Sequence, residues 1–164
     1  MIEIGQRLPQ TPVMQMSKDG PCPTPADQLM GQGLVVLFAT PGAFTPTCSA
    51  QHLPGFLEKT DAIKSHGVDK IVCMAANDIF VVNAWAEAAG VGDRLTMIAD
   101  GNGDFAKALG LDMDISAFGM GHRCQRFAMI IQDGEVKTLM VEEPGEFKVS
   151  SAESVLNALD QVTR

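Results

Sequence analysis

The segment 38–48, with the sequence FATPGAFTPTC, constrains the fold of this chain more than any other. The apolar run 34–39 is short enough for a buried strand, and residues 49–65 predict a helix with a break or kink at Pro54-Gly55. Prolines, a glycine and threonines between the two predict a tight turn. Cys48 lies where the helix should begin, and the unpaired N–H groups and positive dipole end of a helix N-terminus favour a thiolate. A lone cysteine is more often a small core residue, but this position favours an activated thiol.

The rest of the chain alternates strand and helix patterns. Strands are predicted at 13–16, 70–75, 95–99, 126–132 and 136–141, and helices at 26–30, 79–89, 104–109 and 152–162. Asp133-Gly134 predicts a hairpin, Asn77-Asp78 a helix cap and Ser150-x-x-Glu153 a capping box. The proline-rich stretch 21–25 is interpreted as a surface loop and 116–122 as irregular. This order predicts one α/β domain over residues 1–164, with a mixed central sheet flanked by helices and an N-terminal extension. A thioredoxin-like fold fits the closing hairpin and helix, although the pattern alone leaves a flavodoxin-like sheet open.

Composition excludes several classes of function. The 164 residues carry a formal net charge of −8, which argues against a nucleic-acid surface and against binding to anionic membranes. No apolar run approaches the ~20 residues of a membrane-spanning helix, and no signal peptide is visible at the N-terminus. The four cysteines form no Cys-x-x-Cys pair, so neither a zinc site nor a secreted disulfide framework is indicated. We therefore expect a reducing, cytoplasmic setting.

Two neighbouring stretches carry a family resemblance. The segment Pro41-Gly42-Ala43-Phe44-Thr45-Pro46-Thr47-Cys48, followed by His52-Leu53-Pro54-Gly55-Phe56, resembles the peroxidatic-cysteine segment of peroxiredoxins, most closely the atypical type II (peroxiredoxin-5) subfamily. The resemblance implies a thioredoxin-like fold and a thiol-dependent peroxidase that needs no metal, haem or other cofactor. Hydrogen peroxide and alkyl hydroperoxides would oxidise Cys48 to a sulfenic acid, which an external thiol would reduce.

The resemblance also implies site residues. The pattern Pro-x-x-x-Thr-x-x-Cys fits Pro41, Thr45 and Cys48, and Arg126 matches the subfamily's arginine better than Arg123 does. In that role the Thr45 hydroxyl lies near the sulfur, Pro41 shields it from water, and Arg126 stabilises the thiolate and holds the peroxide. From the residues alone, Thr45 could instead cap the helix, Pro41 could serve the turn, and Arg126 could be a solvated strand flank. His52 is interpreted as supporting packing.

The remaining cysteines bear on regeneration. The segment 146–151, where some type II relatives carry a resolving cysteine, has none here, which favours glutathione with glutaredoxin, or thioredoxin, as reductant. Cys73 is interpreted as a core residue and kept as the first internal alternative. Cys124 is interpreted as accessible near Arg126 and kept as the second, and Cys22 is interpreted as exposed.

One further expectation and two alternative functions remain. Relatives associate through loops around the active site, so a homodimer is expected, with Phe44 and Phe80 as apolar anchors. The alternatives are a thioredoxin-like disulfide oxidoreductase, which the missing Cys-x-x-Cys disfavours, and a redox-sensing or chaperone-like binding module that uses the same thiol.

Overall fold

The computed structural model describes residues 1–162, apart from the side chain of Cys48. In this part of the chain, seven strands form one sheet in the order β2-β1-β5-β4-β3-β8-β9. Two short strands, β6 and β7, pair separately. The strands are β1 (Pro12–Ser17), β2 (Gly20–Pro25), β3 (Leu34–Thr40), β4 (Lys70–Ala75), β5 (Thr96–Ala99), β6 (Asp112–Asp114), β7 (His122–Cys124), β8 (Phe127–Gln132) and β9 (Glu135–Val141).

Helices cover both faces of this sheet. They are α1 (Ala26–Leu29), a π-helical turn (Cys48–His52), α2 (Leu53–Glu58), α3 (Thr60–Lys64), α4 (Ile79–Ala88), α5 (Asp104–Leu109), a 3₁₀ turn (Ser116–Phe118) and α6 (Ala152–Val162). None of the helices within residues 1–162 combines the length and the apolar character needed to cross a bilayer.

The central strand β3 is buried at every residue. It runs parallel to β4, which runs parallel to β5, whereas β8 pairs with its other edge in the antiparallel direction. Val36 and Phe38 pack on one face, with α2, α4 and α6, and Val35 and Leu37 pack on the other, with α1 and α5. Because both faces are covered, the strand is a continuous apolar run rather than an alternating one. The expected α/β architecture with a mixed sheet is confirmed; the single domain over 1–164 stays a prediction.

The helical run after the turn differs from the expectation. No break is found at Pro54-Gly55, because both residues lie inside α2 and the run is interrupted at Lys59 instead. Pro54 lies in the first turn of α2, where a missing N–H is tolerated. Just before it, the chain forms the wider π turn, a local distortion often found at functional sites.

The region 116–122 is irregular as predicted, apart from the 3₁₀ turn and the first residue of β7. Two other local predictions were wrong. The stretch 21–25 is not a loop but most of β2, an edge strand, and edge strands tolerate proline because one side of their backbone needs no ladder donors. The cap of α6 is Ser151, whose Oγ accepts from the Ser154 N–H at 3.1 Å, whereas the Ser150 hydroxyl donates to Glu142. The predicted Asp133-Gly134 hairpin is confirmed, with positive φ at both residues.

Candidate active site

The turn after β3 is held by two hydrogen bonds and has one unusual backbone angle. The Ala43 N–H donates to Asn77 Oδ1 at 2.7 Å, which ties the turn to the loop after β4. The Thr45 hydroxyl donates to the Gly42 carbonyl oxygen at 2.7 Å. Phe44 adopts a φ of 63°, which is uncommon for a side chain of its size. The conformation is therefore imposed by its surroundings, and it fixes where the following helix begins.

Cys48 is the first residue of the π-helical turn. The Ser49 N–H donates to the Thr45 carbonyl oxygen at 2.9 Å, and the Ser49 Oγ accepts from Trp85 Nε1 at 3.0 Å, which fastens this turn to α4. The sequence places the cysteine at the entry of a helix, and its backbone lies there. Its side chain falls outside the described residues, so the roles of Pro41, Thr45 and Arg126 at the sulfur stay predictions.

His52, at the other end of the π turn, is fully buried among aromatic rings. Its ring lies 5.0 Å from Phe38 and 5.1 Å from Phe147, between ring centres. Nε2 is 2.9 Å from the Ser150 carbonyl oxygen and Nδ1 is 2.9 Å from Arg126 Nη1. Because a carbonyl only accepts and a guanidinium only donates, Nε2 carries the proton and Nδ1 accepts. Burial, and then the charge of Arg126, lower the pKa of His52 to about 3, so the ring is neutral at pH 7.

Arg126 precedes β8 and faces the π turn. Its guanidinium donates to His52 and lies 5.9 Å from the centre of the Phe147 ring, a cation–π distance. Arg123 has a different position, because it donates to the carbonyl oxygens of Met120 and Ala76 at 2.8 and 3.0 Å. Arg123 also donates a third hydrogen bond, to the Pro41 carbonyl oxygen at 3.3 Å, which holds the active-site turn.

Glu142 fixes the loop that carries Phe147 and Ser150. Its carboxylate accepts from the backbone N–H groups of Lys148, Val149 and Ser150 and from the Ser150 hydroxyl, at 2.7 to 2.9 Å. Burial alone would raise the pKa of Glu142, but these hydrogen bonds outweigh it and hold the pKa below its usual value. Its own N–H donates to the Arg126 carbonyl oxygen at 2.9 Å. Glu142, Ser150, His52 and Arg126 therefore form a closed ring of contacts.

A cavity of about 110 Å³ opens beside this ring of hydrogen-bonded residues. Pro41, Thr47, Gln125 and Arg126 line it together with the acidic loop after β9. The structure thus brings two of the predicted site residues, Pro41 and Arg126, to one cavity. Thr45 is not part of its lining, and its hydroxyl holds the turn.

Sequence reasoning missed Asn77 as a tether, and Glu142, Phe147 and Ser150 as supports of the arginine. None of these has a local signal beyond an ordinary loop or cap residue. They come together only because of the order of the strands in the sheet.

The other cysteines are spread across the fold. Cys73 is buried in β4, on the same face of the sheet as the π turn. Cys124 was expected to be accessible, and this is wrong: it is buried on the opposite face, and its Sγ donates to the Thr40 carbonyl oxygen at 3.2 Å. Cys22 is exposed on β2, as expected. Among the described residues, no group of three or more His, Cys, Asp or Glu is placed to hold a metal ion.

A cysteine at a helix entry above a mixed sheet, near a half-buried arginine that a histidine orients, fits a thioredoxin-like thiol oxidoreductase. The Redoxin family model matches residues 4–156, and the chain belongs to this family.

Similar proteins narrow the class further. The chain is 47% identical to Peroxiredoxin-2B of Arabidopsis thaliana, over 76% of this chain and 77% of that protein. It is 45% identical to chloroplastic Peroxiredoxin-2E-2 of Oryza sativa subsp. japonica, over 96% of this chain and 72% of that protein. The crystal structure of reduced Prx3 from Vibrio vulnificus in complex with H₂O₂ superposes with a TM-score of 0.93 at 50% identity, over 97% of this chain and 99% of that one. The thioredoxin-like fold and the thiol-dependent peroxidase activity expected from the sequence are thereby confirmed, with type II peroxiredoxins as relatives.

Proposed function

We propose that Cys48 is the peroxidatic residue of this thiol peroxidase. Its thiolate attacks one oxygen of hydrogen peroxide or an alkyl hydroperoxide. The S–O bond forms as the O–O bond breaks, the sulfur loses two electrons, and the leaving oxygen takes a proton and departs as water or alcohol. The product is the sulfenic acid of Cys48.

The observation that carries this proposal is the link from the π turn to the arginine. Cys48 and His52 are the two ends of one five-residue element, and His52 accepts from Arg126. The helix that presents the cysteine therefore also orients a permanent cation. Such a cation favours the thiolate and can bind peroxide oxygens with its fork of donors. Pro41 lines the same cavity and is proposed to exclude water, while Thr45 is proposed to hydrogen-bond the reacting atoms.

The first test replaces the nucleophile. Cys48→Ser should abolish hydrogen peroxide consumption in the presence of a thiol reductant and leave the circular dichroism spectrum unchanged. Cys22→Ser, an exposed cysteine on β2, is the matched control and should retain full turnover. Substantial turnover in Cys48→Ser would overturn the assignment, and stoichiometric oxidation without turnover in the native protein would favour a sensor.

Regeneration is proposed to use an external thiol. One thiol condenses with the sulfenic acid and releases water, which gives a mixed disulfide with Cys48. A second thiol attacks this mixed disulfide, frees the Cys48 thiolate and forms a disulfide with the first thiol. This is supported by the burial of Cys73 and Cys124, since a disulfide needs Cα atoms within roughly 7 Å and suitable side-chain directions. Glutathione with glutaredoxin, or thioredoxin, is the proposed source.

The triple variant Cys22→Ser, Cys73→Ser, Cys124→Ser tests this route. With glutathione and glutaredoxin, and separately with thioredoxin, most of the turnover should survive. If turnover collapses while the first oxidation stays fast, one of these cysteines is resolving, and single variants identify it.

Assembly and location are proposed as well. A homodimer is supported by the exposure of Phe44, in the active-site turn, and of Phe80, at the start of α4, which are 55% and 64% exposed. Light scattering that shows only monomer at high micromolar concentration would contradict it. A cytoplasmic location stays a prediction, supported by the need for a reducing thiol pool and tested by cell fractionation.

A further inference from the structure

The rim of the active-site cavity is acidic. Its described lining carries one cation, Arg126, and three carboxylates, those of Glu142, Glu143 and Glu146. Glu143 and Glu146 lie on one tight turn, in which the Glu146 N–H donates to the Glu143 carbonyl oxygen at 2.9 Å. Both residues line a cavity of only about 110 Å³, and because Glu143 is exposed and the Glu146 side chain is 41% exposed, they lie at its rim.

Neighbouring cations offset this charge only weakly. Lys148 Nζ lies 3.4 Å from Glu146 Oε1, but the lysine side chain is 71% exposed, and exposed pairs of this kind are weak and screened. His52 adds no charge, because burial lowers its pKa to about 3. The guanidinium of Arg126 is engaged by His52 and by the Phe147 ring. The lining of this cavity therefore carries net negative charge.

We infer that Glu143 and Glu146 determine specificity, so that the site takes small uncharged hydroperoxides and discriminates against anionic peroxides. The inference rests on the proposed function, because it concerns which peroxide reaches Cys48. A charge at the rim of a site acts mainly on the rate of encounter and on its salt dependence. Discrimination should therefore appear in the second-order oxidation rate constant and weaken as salt screens the rim.

The experiment compares two forms of one molecule. A short tertiary hydroperoxide that bears a carboxylate, and the methyl ester of the same molecule, are reacted with the reduced protein by stopped flow. The ester should react several-fold faster at low salt, and the gap should narrow at high salt. Glu143→Gln and Glu146→Gln should each raise the rate for the acid by about two- to fivefold and leave the ester within twofold.

Two variants provide controls. Glu87→Gln makes the same charge change on the exposed face of α4, away from the cavity lining, and should leave the acid-to-ester ratio unchanged. Lys148→Gln removes the cation paired with Glu146 and should shift the ratio the opposite way, against the acid.

Three outcomes would each overturn the inference. The acid and the ester could react at equal rates, the acid could react faster, or Glu143→Gln and Glu146→Gln could have effects no larger than that of Glu87→Gln. If neither form reacts while hydrogen peroxide does, the same variants are assayed with the peroxymonosulfate anion, and no gain in the two glutamate variants overturns it. Failure of the native protein to consume hydrogen peroxide is a different result, because it defeats the proposed function itself.

Discussion

The chain segments around residues 48–66 and 150–160 meet at two places, and a histidine makes the contact at each. At one end, His52 is buried and bonds the Ser150 carbonyl oxygen and Arg126. At the other end, His66 bonds Asp160 of α6 at 2.8 Å and the Ala62 carbonyl oxygen at 3.0 Å, with a side chain 23% exposed. The two contacts use the same residue type and similar distances.

The difference lies in charge. Burial and Arg126 keep His52 neutral, whereas the hydrogen bond to Asp160 raises the pKa of His66 and favours its imidazolium form. The buried ring can therefore accept a hydrogen bond from a guanidinium, which an imidazolium could not do. The comparison shows that the environment, not the residue type, makes one histidine a support of the active site and the other a surface contact.

The largest expected effect is the loss of stability in acid. In the unfolded chain His52 binds a proton below about pH 6.5, but in the folded protein it does so only near pH 3. Between these two pH values the unfolded state therefore binds one proton more than the folded state. Stability should fall as the pH drops through this window, by on the order of 5 kcal/mol from this group. Urea unfolding at a series of pH values measures it. His52→Gln should flatten the slope between pH 6 and 4, and an unchanged slope would contradict the neutral buried ring.

Removal of the arginine should have the next largest effect. Arg126→Ala should lower the rate of Cys48 oxidation by about 100-fold, the usual cost of losing one positioned donor. The pH–rate profile should move to higher pH, because a cation that favours the thiolate is lost. The control is Asp160→Asn, which weakens the contact of the other histidine and should leave the rate unchanged. An unaltered rate and profile in Arg126→Ala would remove this residue from the site.

A smaller effect is expected from His52 itself. His52→Ala leaves the Ser150 carbonyl oxygen and Arg126 without their shared partner, and should slow peroxide oxidation by about tenfold through misplacement of the guanidinium. His52→Gln can both donate and accept, so it should recover part of the rate, as expected of a positioning residue. Stopped-flow oxidation of both variants, with His66→Gln as control, measures this. If Ala and Gln behave alike and like the native protein, Arg126 does not depend on this ring.

The sequence predicts the elements that obey local rules. β3 is a continuous apolar run, the Asp133-Gly134 turn has residues suited to positive φ, and Asp78 caps α4 through a hydrogen bond from Val81. The position of Cys48 at a helix entry belongs to this group as well. Each of these features depends on residues close together in the chain.

The ring around Arg126 could not be predicted in the same way. His52, Arg126, Glu142 and Ser150 are spread over about a hundred residues and meet only because β3, β8 and β9 are neighbours in the sheet. The prediction of a loop at the prolines of β2 was wrong for a related reason. Prolines exclude a central strand but not an edge strand, and the sequence does not show which strands lie at the edge of the sheet.

The smallest expected effect concerns His66 and has the opposite sign. Its pKa in the folded protein is raised, mainly by the hydrogen bond to Asp160 and then by the hydrogen bond to the Ala62 carbonyl oxygen. Its contribution to the stability of the folded state is therefore complete below about pH 6.5 and is lost as the pH rises through the raised pKa. Because the pair is exposed and screened, the melting temperature should change by no more than about 2 °C between pH 6 and 8.5. Comparison of native protein with His66→Gln at low salt isolates this difference, which should shrink at 1 M salt. Relative to the native protein, a His66→Gln variant that loses stability in acid while His52→Gln gains it would confirm that the pKa values of the two histidines are shifted in opposite directions, and a shared sign would contradict it.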